Sequence, residues 1–431
     1  MTDLPLAGVR VLDITVVWSG PSATRYLAAL GAEVIRVESI RYYPNMNRGQ
    51  TPYPTKEALA GMAGMAAAYP DKDPGDEPYN VFGPFLLVSQ GKRSVTMELD
   101  TDEGREAFHR LVAQSDIVVE NNSRVLSSAL GLEWEALSAV NPRLILVKMT
   151  PLGLSGPYTN AIGFGAHFEC LTGLAALRGH PGAPPDEAGS TFHMDDIAPH
   201  GVVFGVLAAL MLRERTGRGQ LIEFPQAEYL MQGLGDQFLA AAADGREIPA
   251  DGNRHPSAVQ GLYPCAGDDQ WIAISVQDDA QWAGLRAALG EPGWADDPRF
   301  ASSLDRRRNQ DELDARLGEA TAAVGKYELF AALQEHRVPA GPVLNEADAA
   351  ADPHFAARGV FRSVTHPRAG TYDYPSFGAR WSGIDYAWGT PAPLVGQDNE
   401  YVYQELLGYS REQYQHLLDE NLAGTSYPKP Q

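Results

Sequence analysis

Cysteine is nearly absent from this chain: Cys170 and Cys265 are the 2 among 431 residues, and no Cys-x-x-Cys occurs. That excludes a disulfide framework and a cysteine zinc site, and it fits a reducing cytoplasm. Basic charge is also scarce. With 34 Lys and Arg against 55 Asp and Glu the formal charge is -21, which argues against nucleic acid or an anionic membrane as partner, because phosphate binding needs a basic field. An anionic ligand has to be held by a local cluster of donors. Long apolar runs are missing too: the longest, within residues 201–212, is too short to span a bilayer. The N-terminus "MTDLPLAGVRVLDIT" lacks a basic segment followed by an apolar one, so a soluble protein is expected.

Two motifs are absent as well. A dinucleotide site would want G-x-G-x-x-G in the first strand-to-helix turn, but "VVWSGPSAT" holds only Gly20, followed by Pro21. No H-E-x-x-H appears anywhere. The NAD reading is therefore weak, although an anion or a nucleotide arm still suits a helix start at this turn.

What is present is alternation. "VRVLDIT" (9–15) reads as a buried strand, "PSATRYLAALGA" (21–32) as a helix ending at Gly31, and "EVIRVES" (33–39) as a second strand. The pattern returns in "KRSVTMEL", the helix "TDEGREAFHRLVAQS", "DIVVEN", a helix around "EWEALSAV", and "RLILVKMT" (143–150). Asp100 and Glu103 have capping-box spacing before the second of these helices. Such alternation predicts an α/β fold with a parallel sheet covered by helices on both faces.

Between Arg41 and Gly91 the pattern fails in a Pro-, Gly- and Tyr-rich stretch whose aromatics point to a lid, an ordinary surface insertion being the alternative. From about residue 251 the chain turns to a smaller α+β region. The expected domains are 1–225, a linker helix at 226–250, a small domain at 251–335, and a return segment at 336–431 that re-enters the large lobe at "HRVPAGPVLN" and closes with a helix around "YVYQELLGYS".

Two adjacent acids stand before a long apolar helix in "FHMDDIAPHGVVFGVLAALMLRERTGRGQ". Asp195 and Asp196 have three readings. As helix caps they need no other explanation, since Asp is among the best N-cap residues and Pro199 is tolerated in a first turn. With His193 and His200 they could bind a cation, but the spacing matches no ligand motif. As a nucleophile, a carboxylate held ionised at the positive end of a helix needs only a susceptible carbonyl and donors for the oxyanion. Elsewhere Lys92 and Arg93 stand beside a strand start and Arg124 follows a strand end, which makes them candidate phosphate partners in so acidic a chain.

Taken in order, "PLAGVRVLDIT…GPSATRYLAALGAEVIRVE", "GKRSVTMELDTDEGREAFHRLVAQSDIVVEN", "LGLEWEALSAVNPRLILVKMTPLGLSGPY", "DDIAPHGVVFGVLAALMLRERTGRGQ", "GNRHPSAVQGLYPCAG" and "VPAGPVLN" resemble the class III coenzyme A transferases of CaiB/BaiF type. The family includes formyl-CoA:oxalate and crotonobetainyl-CoA transferases and the α-methylacyl-CoA racemases. The resemblance implies a Rossmann-like large domain built from both chain ends, a smaller α+β domain, and an interlocked dimer, a homodimer unless a related chain replaces one subunit. It implies acyl-CoA and carboxylic acid substrates, with no tightly bound cofactor and no metal.

It also assigns residues. The family's reactive aspartate lies ten residues before Gly205, at Asp195, with Asp196 left to cap the helix. In the transferases that carboxylate passes through an aspartyl anhydride and an aspartyl-CoA thioester. CoA contacts are implied near Val17, Trp18, Ser19, Ser39, Met97, Asn121 and Asn122; Arg41 stands in for a family arginine that is Ser39 here, and Lys92, Arg93 and Arg124 remain candidates.

The chain also departs from the pattern. The racemases pair the aspartate with a His in "G-H-D", whereas here the triplet is "GFG" (163–165), so Phe164 removes the second base and Gly165 replaces an acid common in transferases. His167 is read as packed or superficial. Trp18 stands where formyl-CoA transferase has Gln, and that enzyme's glycine-rich loop is missing from "NRHPSAVQGLYP". Together with the Tyr-rich insertion this suggests a bulky or aromatic acyl group rather than oxalate. Alternatives to a transferase are an acyl-CoA racemase or isomerase, and a non-catalytic subunit of a heteromeric enzyme.

Overall fold

The structure, a computed structural model, describes residues 4–44, 46–62, 64, 68–187, 192–245, 248–255, 257–386 and 388–429. It resolves into two compact units: residues 1–173, 190–236 and 358–431 form one, residues 174–189 and 237–357 the other.

The first unit opens with β1 (Arg10–Ile14), α1 (Ser19–Ala29) and β2 (Glu33–Glu38). Two short helices follow in the irregular stretch, α2 (Lys56–Ala60) and α3 (Gly83–Val88). Then come β3 (Arg93–Thr96), α4 (Asp102–Val112), β4 (Ile117–Glu120), α5 (Arg124–Ala129), α6 (Trp134–Val140) and β5 (Ile145–Lys148). After α7 (Gly165–Glu169) the chain makes α8 (Leu174–Leu177) in the other unit, then returns with α9 (His193–Thr216) and β6 (Gln220–Glu223).

All six strands are parallel, in the order β3-β2-β1-β4-β5-β6, the Rossmann-like arrangement. Successive residues face opposite layers, and both layers are apolar. Leu12, Ile14, Val118 and Leu146 join Phe108, Leu111, Val402, Tyr403 and Leu417 on one side. Val11, Ile117, Val119, Ile145 and Val147 join Leu27, Ala198, Val202 and Val206 on the other. Strands buried on both faces read as continuous apolar runs, which is why the alternation of strands and helices was visible in the sequence.

Several local expectations shift. The cap of α4 is Thr101, whose hydroxyl accepts from the Gly104 N–H, one residue after the Asp100 of the expected box. The C-terminal segment is a π-helical turn, Tyr401–Leu406, followed by a separate helix, Arg411–Asp419. α9 is 24 residues long, with Pro199 inside it rather than in its first turn, and it is long and apolar enough by length and composition to cross a membrane. Its Ala198, Val202, Val206 and Ala209 stripe is instead packed in the core of the first unit.

The irregular stretch between β2 and β3 is anchored, not a loose lid. Arg48 is wholly buried and donates from Nε and Nη2 to the two Glu38 carboxylate oxygens, 2.7 Å each, and to the Tyr79 and Pro393 carbonyls. Its guanidinium lies 3.8 Å from the Phe85 ring centre. Leu59, Tyr69, Val81, Phe82 and Leu86 complete an apolar cluster with Ala369 and Ala392. Tyr53, Tyr79, Tyr427 and Tyr43 pack edge to face along a chain of rings, so these tyrosines are occupied with one another and lend no support to an aromatic acyl site.

The second unit has an antiparallel sheet of β7 (Val259–Pro264), β8 (Trp271–Val276) and β9 (Ala340–Val343), in that order, with helices packed on Ile272, Ile274 and Val276. The sequence reading returned the chain to the large lobe at 336–345. Strand β9 instead pairs with β8, and Val338 is buried in the same core, so this segment belongs to the second unit and the first resumes at Arg358 with the hairpin β10 (Phe361–His366) and β11 (Gly370–Pro375). Periodicity marks a strand, but its partner depends on contacts distant in sequence.

Candidate active site

In a sheet of this order the strand connections reverse direction between β1 and β4, and the crevice outside their carboxyl ends is the natural ligand site. Asn121 and Asn122, which follow β4, bridge that point. Asn121 accepts the Val16 N–H at 2.7 Å and donates to the Val16 carbonyl at 2.9 Å, while Asn122 donates to the Ile14 carbonyl at 3.0 Å. The turn they grip is strained: Val17 has φ of 67°, a left-handed conformation that a β-branched residue rarely adopts. Gly20 begins the following helix against Asn121 and Thr15, where a Cβ would lie 3.1 Å from the Asn121 Cγ. Ser19 is buried and its hydroxyl has no hydrogen-bond partner among the described residues.

Beside this turn is a cavity of about 340 Å³. Val37, Met97, Leu99, Leu126 and Leu130 give it apolar walls; Ser39, Arg41, Asn122 and Glu98 supply its polar rim. Ser39 donates to Glu98 at 2.6 Å and accepts from the Arg41 and Tyr42 N–H groups. Arg41 is exposed and donates to the Glu420 carbonyl at 2.7 Å and the Asn421 carbonyl at 3.1 Å. Of the residues expected to contact CoA, Ser39, Arg41, Met97 and Asn122 line this one cavity. Val17, Trp18, Ser19 and Asn121 belong to the turn beside it.

Three expected phosphate partners lie elsewhere. Lys92 is buried, with Nζ 2.8 Å from both the Asp13 carboxylate and the Pro21 carbonyl. Loss of water pulls its pKa down to about 8, and the same pair holds Asp13 at about 2 against burial. Lys92 is a structural ion pair and is not free for a ligand. Arg93 sits at the amino end of β3, the opposite edge of the sheet from the crevice, and is paired with Glu33 and Asp398. Arg124 starts α5 and borders a small polar cavity of about 110 Å³ with Glu120, Lys148 and Thr150. Residue type alone could not separate these three from Arg41.

The two acids open α9. Its N-cap is Phe192, in a left-handed conformation (φ 51°) with no side-chain cap bond, so Asp195 and Asp196 are the third and fourth helical residues and neither caps the helix. That overturns the capping reading for both. Asp196 instead feels the Trp18 side chain, which holds its carboxyl down. Burial on that side pushes the Asp196 carboxyl up, with Trp18, His193 and His200 opposing. His200 lies over Tyr26, ring centres 5.0 Å apart, and its Nδ1 is 3.0 Å from the Asp196 carbonyl.

Asp195 is half-buried against α7. A Cβ on Gly165 would overlap its carboxylate, with the Asp195 Cγ only 2.9 Å away. Four residues on, Glu169 is buried and accepts the Met194 N–H at 2.9 Å. Burial first, then the negative charges of Glu169 and Asp196, push the Asp195 carboxyl up to about 7. These influences oppose the helix end, which was expected to keep the carboxylate ionised. His167 takes the Phe164 N–H on Nδ1 at 3.1 Å, and Phe164 itself is exposed, so position 164 supplies no second base. No group of three His, Cys, Asp or Glu side chains among the described residues is arranged to hold a metal ion.

Glu169 was missed by the sequence reading. Its only signal was spacing: an acid four residues after Gly165 shares that residue's helix face.

A model of the family described as CoA-transferase family III matches residues 6–399. The chain is 32% identical over 426 residues to a probable CoA-transferase of Mycobacterium tuberculosis, covering 97% of this chain and 50% of that protein, so it spans half that relative's length. It is 31% identical over 414 residues to the succinyl-CoA--D-citramalate CoA-transferase of Chloroflexus aurantiacus, covering 95% of each. Among solved structures, a CaiB/BaiF family protein from Brucella suis matches with a TM-score of 0.80 and 29% identity over 94% of this chain and all of that one.

Proposed function

The chain belongs to CoA-transferase family III, and on that footing we propose that it moves coenzyme A from an acyl-CoA donor to a carboxylic acid acceptor, with Asp195 as covalent nucleophile. The observation that carries this reading is the half-buried Asp195 carboxylate on the first turn of α9, held against bare backbone at Gly165, with Asp196 beside it under the influence of Trp18 from the turn bordering the crevice.

An Asp195 carboxylate oxygen attacks the thioester carbonyl, the C–S bond breaks, and CoA leaves as thiolate from an acyl-aspartyl anhydride. The thiolate attacks the aspartyl carbonyl, freeing the donor acid and leaving an aspartyl-CoA thioester. The acceptor carboxylate then attacks that thioester, and the released thiolate takes the acceptor acyl group from the second anhydride. One thioester replaces another and Asp195 is regenerated, so no phosphoryl donor is required. Catalysis rests on holding the reactants together and keeping water from the anhydride.

The apolar slot between Leu99 and Leu130 suits a planar base, and Arg41 at its rim suits a phosphate. At about 340 Å³ it has room for the nucleotide end of CoA rather than the whole molecule. Trp18, next to the reacting centre, favours an acyl group larger than formyl or oxalyl. The enzyme works as an interlocked homodimer in the cytoplasm; the exposed Phe204 and Met211 on α9 support burial of that face by a second copy, and the free thiols of Cys170 and Cys265 support a reducing compartment.

The test is to incubate the protein with a panel of acyl-CoAs and hydroxylamine and to map modification by mass spectrometry. An aspartyl hydroxamate at Asp195 is expected. Turnover with no adduct at that position would refute the covalent route.

A further inference from the structure

The cavity beside the β1–α1 turn is richer in acid than in base. Three carboxylates line it, Glu38, Glu98 and Asp100, against two guanidinium groups, Arg36 and Arg41. Arg36 is buried and committed, 3.2 Å from Glu38 and 3.4 Å from Asp13. Of the two, Arg41 alone is left for a ligand, and it also holds the Glu420 and Asn421 carbonyls. Glu98 is buried and accepts from the Ser39 hydroxyl at 2.6 Å and from the Ile40 and Arg41 N–H groups at 2.8 and 3.3 Å. A carboxylate has about four lone-pair sites, so Glu98 retains acceptor capacity. Burial pushes its carboxyl up while those three bonds oppose. Asp100 is exposed at the same rim.

We infer that this slot is built for a ribose whose hydroxyls are free, so that the chain takes thioesters of dephospho-CoA, which lacks the 3′-phosphate, about as well as those of CoA. The inference rests on the proposed function, in which the cavity holds the nucleotide end of CoA, and it specifies the form of that nucleotide. CoA brings two anionic groups to this end, the diphosphate and the 3′-phosphate, and the latter adds about two negative charges near neutrality. At the strand ends of such sheets a carboxylate accepts ribose hydroxyls, whereas an arginine accommodates a ribose phosphate. Glu98 and Asp100 flank Leu99, one wall of the slot proposed for the base, so the attached ribose comes within reach of both acids. A hydroxyl donates to them. A phosphate dianion has no proton to give and meets like charge. Arg41 serves the diphosphate and is spent there.

Calorimetric titration of the full chain with CoA and with dephospho-CoA, at one ionic strength, tests this. The two dissociation constants are expected to agree within about threefold. Arg41→Ala should weaken both ligands by the same factor. Asp100→Asn, a replacement at an exposed position that the fold tolerates, should shift the ratio toward CoA. A wild-type preference for CoA of about tenfold or more overturns the inference and leaves the CoA reading intact. So does an Arg41→Ala variant that loses affinity for CoA alone, which makes Arg41 the partner of the 3′-phosphate, and so does a ratio that Asp100→Asn leaves unmoved. Binding of neither nucleotide removes the CoA reading itself, and the inference with it.

Discussion

The carboxylate of Asp195 occupies the space that a side chain on Gly165 would need, with Cγ 2.9 Å from the would-be Cβ. Glycine at 165 is therefore a condition for the observed position of Asp195. Gly165→Ala is expected to displace the carboxylate and lower kcat by about 100-fold, because an ångström of misplacement at a reacting centre costs that much. KM for acyl-CoA should hardly change, since the cavity walls do not touch this position. Steady-state kinetics check both numbers.

Trp18 of the β1–α1 turn acts on the Asp196 carboxyl at the start of α9. Trp18→Phe deletes the indole N–H and also shrinks the ring, so the folded state should lose about 1 kcal/mol or more. Asp196→Ala should cost a similar amount through the same interaction, and not through a lost cap. Urea titrations of the single and double variants test this. If that interaction is the shared cause, the double variant loses little more than either single one.

Arg41, the stand-in for a family arginine, and Lys92, a further candidate phosphate partner, should respond in opposite ways. Arg41→Ala should raise KM for acyl-CoA about tenfold, roughly 1.4 kcal/mol, with thermal stability nearly unchanged. Lys92→Met leaves Asp13 buried without its closest cation and should cost about 3–5 kcal/mol of stability. Denaturation curves set beside substrate titrations distinguish them.

Asp195 also makes stability depend on pH. The unfolded chain releases this proton near pH 4, the folded chain near 7. Across that window ionisation favours the unfolded state, so this residue's contribution falls as pH rises from about 4 to about 7. Asp195→Asn escapes the penalty. Its Tm should equal that of wild type near pH 4 and exceed it by a growing margin up to about pH 7, then level off. A Tm difference that is constant with pH would show that the folded-state carboxyl is unperturbed.

Much of the first unit was legible because its strands are buried on both faces, and runs such as that around Val118 leave little choice of element. The cluster of Ser39, Met97 and Asn122 around one cavity was likewise within reach, since all three lie at or just past the carboxyl ends of strands. What stayed hidden depended on burial or on distant partners. Lys92 and Arg41 are both basic residues near a strand, and only the fold shows that Asp13 lies against one of them. Phe192 as a left-handed helix start contradicts the preference for Asp at a cap, and it became visible only with α7 in place to supply Glu169 from outside. Strand β9 was recognisable as extended chain, but its pairing with β8 was not.

Arg48 has a consequence for how ligands reach the crevice. To swing the excursion between β2 and β3 aside would carry Arg48 off and leave the buried Glu38 without its bidentate partner, a penalty of several kcal/mol. At Arg48 this stretch is consequently a fixed doorframe rather than a hinge. Trimming the stretch away would unmoor the second strand, because Glu38 at its carboxyl end loses Arg48.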